Sequence, residues 1–250
     1  MASIWEPFIL SLIAGMATGI GGLIVYLLKK VSDRAVSFSL GFASGVMLMV
    51  AFNDLFLEAQ KLITHVELIV FFTAGALTMI ALDLTIPHIE LSRRENDQQT
   101  KMYRRGILIA LGITLHNLPE GLVVVAGYAY SPSLGLIIAI AIMLHNIPEG
   151  VAAAIPLMEA GIKPGRVAVL TLLSGLAEPA AALVGGVALL NFGTGSIVGY
   201  SLVFAAGVMT YITADELIPV AHEYGFKHTV SVSLLLGIIF ALLIDVLLSS

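Results

Sequence analysis

The heptapeptide Leu115-His116-Asn117-Leu118-Pro119-Glu120-Gly121 recurs as Leu144-His145-Asn146-Ile147-Pro148-Glu149-Gly150, twenty-nine positions later. On a helix His116 and Glu120 are i and i+4, about 40° apart around the axis, so imidazole and carboxylate point the same way in chelating geometry. Asn117 lies about 100° from His116 and about 60° from Glu120, so one carboxylate can serve two ions side by side. His145, Asn146 and Glu149 repeat that arc, and Glu178, followed by Pro179, offers a further carboxylate. Two His, two Asn and three Glu without sulfur suit a borderline-to-hard divalent ion such as Zn2+, Fe2+, Mn2+, Co2+ or Cd2+, and suit Cu(I) poorly. The chain has no cysteine, which removes thiolate sites, disulfides and thiol chemistry together. No resident cofactor is expected.

These residues must be positioned by membrane helices. The 250 residues are 58% hydrophobic and 12% charged, with mean hydropathy +1.00; a water-soluble domain carries about twice that charge. The net charge of −5, without a basic run rich in aromatics, argues against a nucleic-acid partner. Apolar stretches long enough to cross hydrocarbon predict eight spans, at 7–28, 37–57, 68–88, 106–128, 134–156, 167–190, 196–220 and 230–248. They are too long and too unalternating for barrel strands. The whole of 1–250 therefore reads as one all-α transmembrane domain. Eleven of the twelve basic residues fall in the odd-numbered connections and only Lys61 in an even one, which places the odd side in the cytoplasm of a multi-pass protein and both termini outside. The longest connection, 90–105, is a charged cytoplasmic loop. Met1 to Leu10 carry no Lys or Arg, so the first span is expected to be kept rather than cleaved as a signal peptide.

Eight acidic residues sit inside these spans, Asp54, Asp83, Glu120, Glu149, Glu178, Asp215, Glu216 and Asp245, and no Lys or Arg accompanies them. Each ionised side chain at the bilayer centre costs on the order of 3 kcal/mol, so protons or mobile cations must neutralise them. Asn117, His145 and Glu178 fall near the centres of spans four, five and six, and a short connection makes spans four and five antiparallel neighbours whose motifs can face each other. Pro119 and Pro148 each remove an N–H and free the carbonyl four residues back, Leu115 or Leu144; broken backbone at membrane depth marks a site or pathway. Asp54 and Asp245, near the outer ends of their spans, are candidates for an entrance with Asn53. Asp83, Asp215 and Glu216, toward the cytoplasmic ends, are candidates for an exit or gate.

The paired HNxPEG motifs, SGLAEP at Ser174–Pro179, GFASGVML at Gly41–Leu48 and DELIP at Asp215–Pro219 resemble the ZIP (Zrt/Irt-like) family of divalent-metal transporters, and most nearly its bacterial ZupT-type branch, over essentially the whole chain. The resemblance implies an eight-helix bundle in the cell membrane, uptake of zinc and related ions into the cytoplasm by a secondary transporter or facilitator, and a homodimer. It implies one ion held by His116, Glu120, His145 and Glu149, a second held by Asn117, Glu120, Asn146, Glu149 and Glu178, and spans one, four, five and six moving against the rest. Two departures stand out: the loop 90–105 lacks the histidines of eukaryotic members, and Asn53-Asp54 is followed by Phe56-Leu57 where many bacterial relatives have an acidic residue and a proline. An exporter or channel for the same ions is the alternative. An intramembrane metallohydrolase is a further one, and it lacks the HExxH motif such chemistry typically uses.

Overall fold

In hydrocarbon every backbone N–H and C=O must be satisfied within its own segment, which leaves helices for a chain of this composition. The computed structural model describes residues 4–28, 31–85, 114, 117–159, 161–192 and 195–249, and these hold helices and no strand. In chain order they are α1 (Trp5–Leu28), α2 (Asp33–Met49), a π-helical segment π1 (Val50–Phe56), α3 (Leu57–Gln60), α4 (His65–Thr85), α5 (117–130) and α6 (Pro132–Glu159). There follow α7 (Pro164–Gly175), α8 (Ala177–Phe192), α9 (Gly195–Ile212), a second π-helical segment π2 (Thr213–Leu217), α10 (Ile218–Glu223) and α11 (Lys227–Ser249). α2–π1–α3, α7–α8 and α9–π2–α10 each form one rod, so seven rods among the described residues are long and apolar enough to cross a bilayer. α5 is the described part of the fourth predicted span; the loop 90–105 and His116 lie outside the described residues.

Local chemistry sets the ends. Ser32 caps α2 by accepting from the Ala35 N–H at 3.3 Å, and Thr64 and Glu67 form a reciprocal capping box at the start of α4. Pro132 and Pro164 open α6 and α7, where a missing N–H costs nothing. Gly161 and Gly225 turn the chain at φ 78° and 89° after α6 and α10, a region that favours glycine. Large apolar side chains such as Val66, Leu84, Val184 and Leu247 face outward, as a surface solvated by lipid requires.

The rods sort into two groups. α1 packs on α6, α7 and α8, and α5 joins them through Glu120 and Gly121, the latter against the Glu178 carbonyl. α2 packs on α11, α9 and α10, and α4 packs on α9. The groups meet where α6 lies against α2, π1 and α11.

The two π-helical rods also carry an internal sequence repeat. Leu40-Gly41-Phe42-Ala43-Ser44-Gly45-Val46-Met47 matches Leu202-Val203-Phe204-Ala205-Ala206-Gly207-Val208-Met209 at a spacing of 162, and both helices pass into a π-helical segment at the corresponding place. Gly75 and Gly237 stand at the same spacing. The crossings are reciprocal: Gly45 lies on the Leu234 carbonyl and Gly237 on that of Phe42, while Gly75 lies on the Phe204 carbonyl and Gly207 on that of Phe72. Small residues at such crossings let membrane helices approach backbone to backbone. Ser37 meets Ala221 and Met47 meets Thr213, so α2 and the α9–π2–α10 rod run in opposite directions, the arrangement of an inverted repeat.

Candidate metal site

α5 and α6 are the neighbours that their short connection requires, and they bring the two motifs face to face. His145 Nε2 lies 2.9 Å from Glu120 Oε1, with both residues buried. One donor atom each from Glu120, His145 and Glu149 lie within 4.8 Å of one another. Bonds of about 2.0–2.2 Å place any two donors of one zinc ion within about 4.4 Å, so small rotamer shifts suffice for these three to share an ion.

The asparagines and Glu178 flank this group. Asn146 Nδ2 donates to the Ala14 carbonyl at 3.0 Å and to Glu178 Oε1 at 2.5 Å. Both amide protons are thereby used, and Oδ1 remains as an acceptor. Asn117 Nδ2 reaches Ser174 Oγ at 3.5 Å. Asn117 Oδ1, Asn146 Oδ1, His145 Nδ1 and Glu178 Oε2 are buried with no hydrogen-bond partner among the described residues. Buried acceptors are normally satisfied, so several left open in one cluster are what a desolvated cation needs. Glu120, Glu149 and Glu178 are 0%, 6% and 0% exposed, and the stretches 106–162 and 167–226 contain no Lys or Arg. Three buried carboxylates without a basic residue on their own helices hold a charge deficit that a divalent cation or protons must fill.

The backbone around the cluster departs from the expectation at Pro148. α6 runs through Pro148 as one helix of 28 residues; a single missing N–H bends a helix without ending it when the turns on both sides are packed. The interruption falls instead at Leu176, between α7 and α8, because Pro179 cannot donate to the Gly175 carbonyl four residues back. Gly15 of α1 lies against that carbonyl, and Gly175 lies against the Gly15 carbonyl. The break sets Glu178 in the first turn of α8, whose N–H groups favour an anion.

Asn53, Asp54 and Asp245, far apart in sequence, form a second polar group. Asn53 Nδ2 donates to Asp54 Oδ1 at 2.9 Å and to Asp245 Oδ2 at 3.1 Å. With Glu58, Tyr130 and Ser133 they line a cavity of about 230 Å3. Beyond Asp54 the space narrows to about 10 Å3 between Val50, Ile137, Ala141, Leu144 and Phe240, room for about one water. Leu144 precedes His145, so this apolar neck reaches within one residue of the cluster along α6. Glu58 escaped the sequence reading although it stands i+4 from Asp54, on the same helix face. It also binds Lys61 at 2.6 Å, and that hydrogen bond to the ammonium raises the Lys61 pKa above its ordinary value.

Other candidates lie apart. Asp215 is exposed and Glu216 half-buried in π2, and neither joins the cluster; Asp83 lies in the last turn of α4. Ala14 and Ser174, which hold the two asparagines, were also missed. Ser174 precedes Glu178 by four positions and so could have been found on its helix face, whereas a backbone carbonyl such as that of Ala14 carries no sequence signal.

A family model described as ZIP Zinc transporter matches residues 88–245. The zinc transporter ZupT of Chlorobium chlorochromatii (strain CaD3) is 38% identical over 239 residues, covering 88% of this chain and 89% of the relative. That of Chlorobaculum parvum is 38% identical over 244 residues, with coverages of 90% and 91%. That of Streptococcus mutans serotype c is 35% identical over 239 residues, with 90% of each chain covered. A helical membrane bundle with a buried His/Glu cluster, matched to these relatives along nearly its full length, belongs to the ZIP zinc transporter family.

Proposed function

We propose that this protein carries Zn2+ and related divalent transition-metal ions, among them Fe2+, Mn2+, Co2+ and Cd2+, across the cell membrane into the cytoplasm through a binuclear site between α5, α6 and α8. The observation that carries the proposal is the buried convergence of Glu120, His145 and Glu149 within 4.8 Å. Removing a divalent ion from water is prohibitive unless replacement ligands stand ready, and these must hold it weakly enough to release it. His145, Glu120 and Glu149, with His116, supply the first ion's donors. Asn117, Asn146 and Glu178, with Glu120 and Glu149 as bridges, supply the second's.

Zinc as cargo is supported by the relatives' being named zinc transporters and by donors of nitrogen and oxygen only. Inward flux is supported by the sidedness of the basic residues together with the acidic cavity at the opposite end. On the same reading Asp54, Asn53 and Asp245 collect ions, the neck at Leu144 closes behind them, and Asp83, Asp215 and Glu216 receive them on the cytoplasmic side. Assembly as a homodimer with both termini outside belongs to this reading as well.

The test is uptake of radiolabelled zinc by liposomes holding the purified protein, with calorimetric zinc titration alongside. His145→Ala and Glu149→Ala are expected to lower uptake at least about 100-fold and zinc affinity about 10–100-fold. Wild-type flux retained in both variants overturns the site, and zinc bound without flux in either direction overturns transport.

A further inference from the structure

Where α2 and α11 begin, far along the chain from the motifs, Ser32, Arg34, Phe38, His228, Thr229 and Val232 line a groove of about 640 Å3. Its polar and apolar walls are separated along the helix axes. Ser32, Arg34, His228 and Thr229 stand at the helix starts. Phe38 lies one turn, about 6 Å, beyond Arg34, and Val232 one turn beyond His228. Phe38 is 43% and Val232 58% exposed, so the deeper wall is an open hydrocarbon surface rather than core. Arg34 and His228 both lie in the odd-numbered connections, which hold eleven of the twelve basic residues of the sequence. Lys227 immediately precedes His228, and Asp33 is the acidic neighbour beside Arg34. Ser32 Oγ accepts from Ala35, which leaves its O–H to donate.

We infer that this groove binds one anionic phospholipid, its phosphate held by Arg34, His228 and Ser32 and an acyl chain lying over Phe38 and Val232. Charge complementarity selects the head: an arginine fork matches phosphate oxygens in two parallel bonds, and basic side chains at the ends of membrane helices sit at headgroup level. The open apolar wall below selects the tail. A zwitterionic lipid brings its own ammonium group against Arg34, and a free phosphate leaves Phe38 and Val232 uncovered. One lipid touching both helices braces the α2–α11 pair, whose crossing at Gly41 and Val230 lies directly beneath.

The test is thermal unfolding of the full chain in detergent with dioleoyl phosphatidylglycerol, dioleoyl phosphatidylcholine or glycerol 3-phosphate added. Phosphatidylglycerol is expected to raise the midpoint by at least about 4 °C more than phosphatidylcholine, and glycerol 3-phosphate to leave it unchanged. Arg34→Gln with His228→Gln is expected to lose at least half of that difference. An equal rise with phosphatidylcholine, an equal rise with glycerol 3-phosphate, or a full phosphatidylglycerol response in the double variant overturns the proposal. Should the double variant not fold, native mass spectrometry of the wild type and of Arg34→Gln in an equimolar mixture of the two lipids decides. Preferential retention of phosphatidylglycerol by the wild type that is lost in the variant supports the site, and equal retention of both lipids overturns it.

Discussion

Asn53 holds two carboxylates at once, one amide proton on Asp54 and the other on Asp245. The pair is kept close by a neutral group, so it concentrates cations without a resident counter-charge. Asp54→Asn or Asp245→Asn should raise the zinc concentration at half-maximal uptake about ten-fold, with the maximal rate within two-fold of wild type, because neither residue belongs to the buried cluster. Uptake measured across zinc concentrations checks this, and an equal loss of maximal rate would move the aspartates into the rate-limiting step. The residue scale was also where the sequence was most readable. His145, Glu120 and Glu149 follow from i,i+4 spacing and a short connection, both of which are local. The Asn53–Asp245 contact joins opposite ends of the chain, and no spacing rule reaches across that distance.

At the scale of elements, the breaks decide where polar groups sit. Prolines were legible as breakers, but which proline interrupts its helix was not, because packing on both sides decides it. Pro148 lies within a helix clasped by α1 and α5, and Pro179 stands where α1 presses on the buried Gly175 carbonyl, which has lost its helical donor. The π-helical segments were illegible for a related reason. One extra residue per turn leaves composition unchanged and shows only in hydrogen-bond register. At the Gly15–Gly175 crossing a methyl group on either residue would collide with the other's carbonyl. Gly15→Ala should therefore cost about 1–3 kcal/mol, whereas Gly165, in the first turn of α7 with nothing within 4 Å of an added Cβ, should tolerate alanine or gain up to about 1 kcal/mol. Unfolding midpoints of the two variants in detergent measure the contrast. A neutral Gly15→Ala would mean that the crossing has room for a methyl group.

At the scale of the molecule, one group of helices carries the cluster and the other carries Asp54 and Asp245, with α6 against α2, π1 and α11 as the seam. The membrane-length helices among the described residues follow from composition, since lipid imposes its own periodicity on a chain. The grouping does not, since every helix is apolar enough to pack on any other. The absence of native cysteine makes the seam directly testable. Val50→Cys with Ile137→Cys, on opposite walls of the neck, closed by a reducible bifunctional thiol reagent, should stop zinc uptake, and dithiothreitol should restore it. Uptake undiminished by complete cross-linking would show that ions pass without rearrangement there. The reciprocal glycine crossings also bear on biogenesis. α2 leaves the ribosome long before α11, yet α11 covers the backbone face around Gly41 and Gly45. Until α11 emerges that face has only lipid or an insertion chaperone to shield it. A chain stopped before residue 227 would keep α4 on α9 but leave α2 without its clasp, a half-finished molecule that membrane quality control can recognise by its open side.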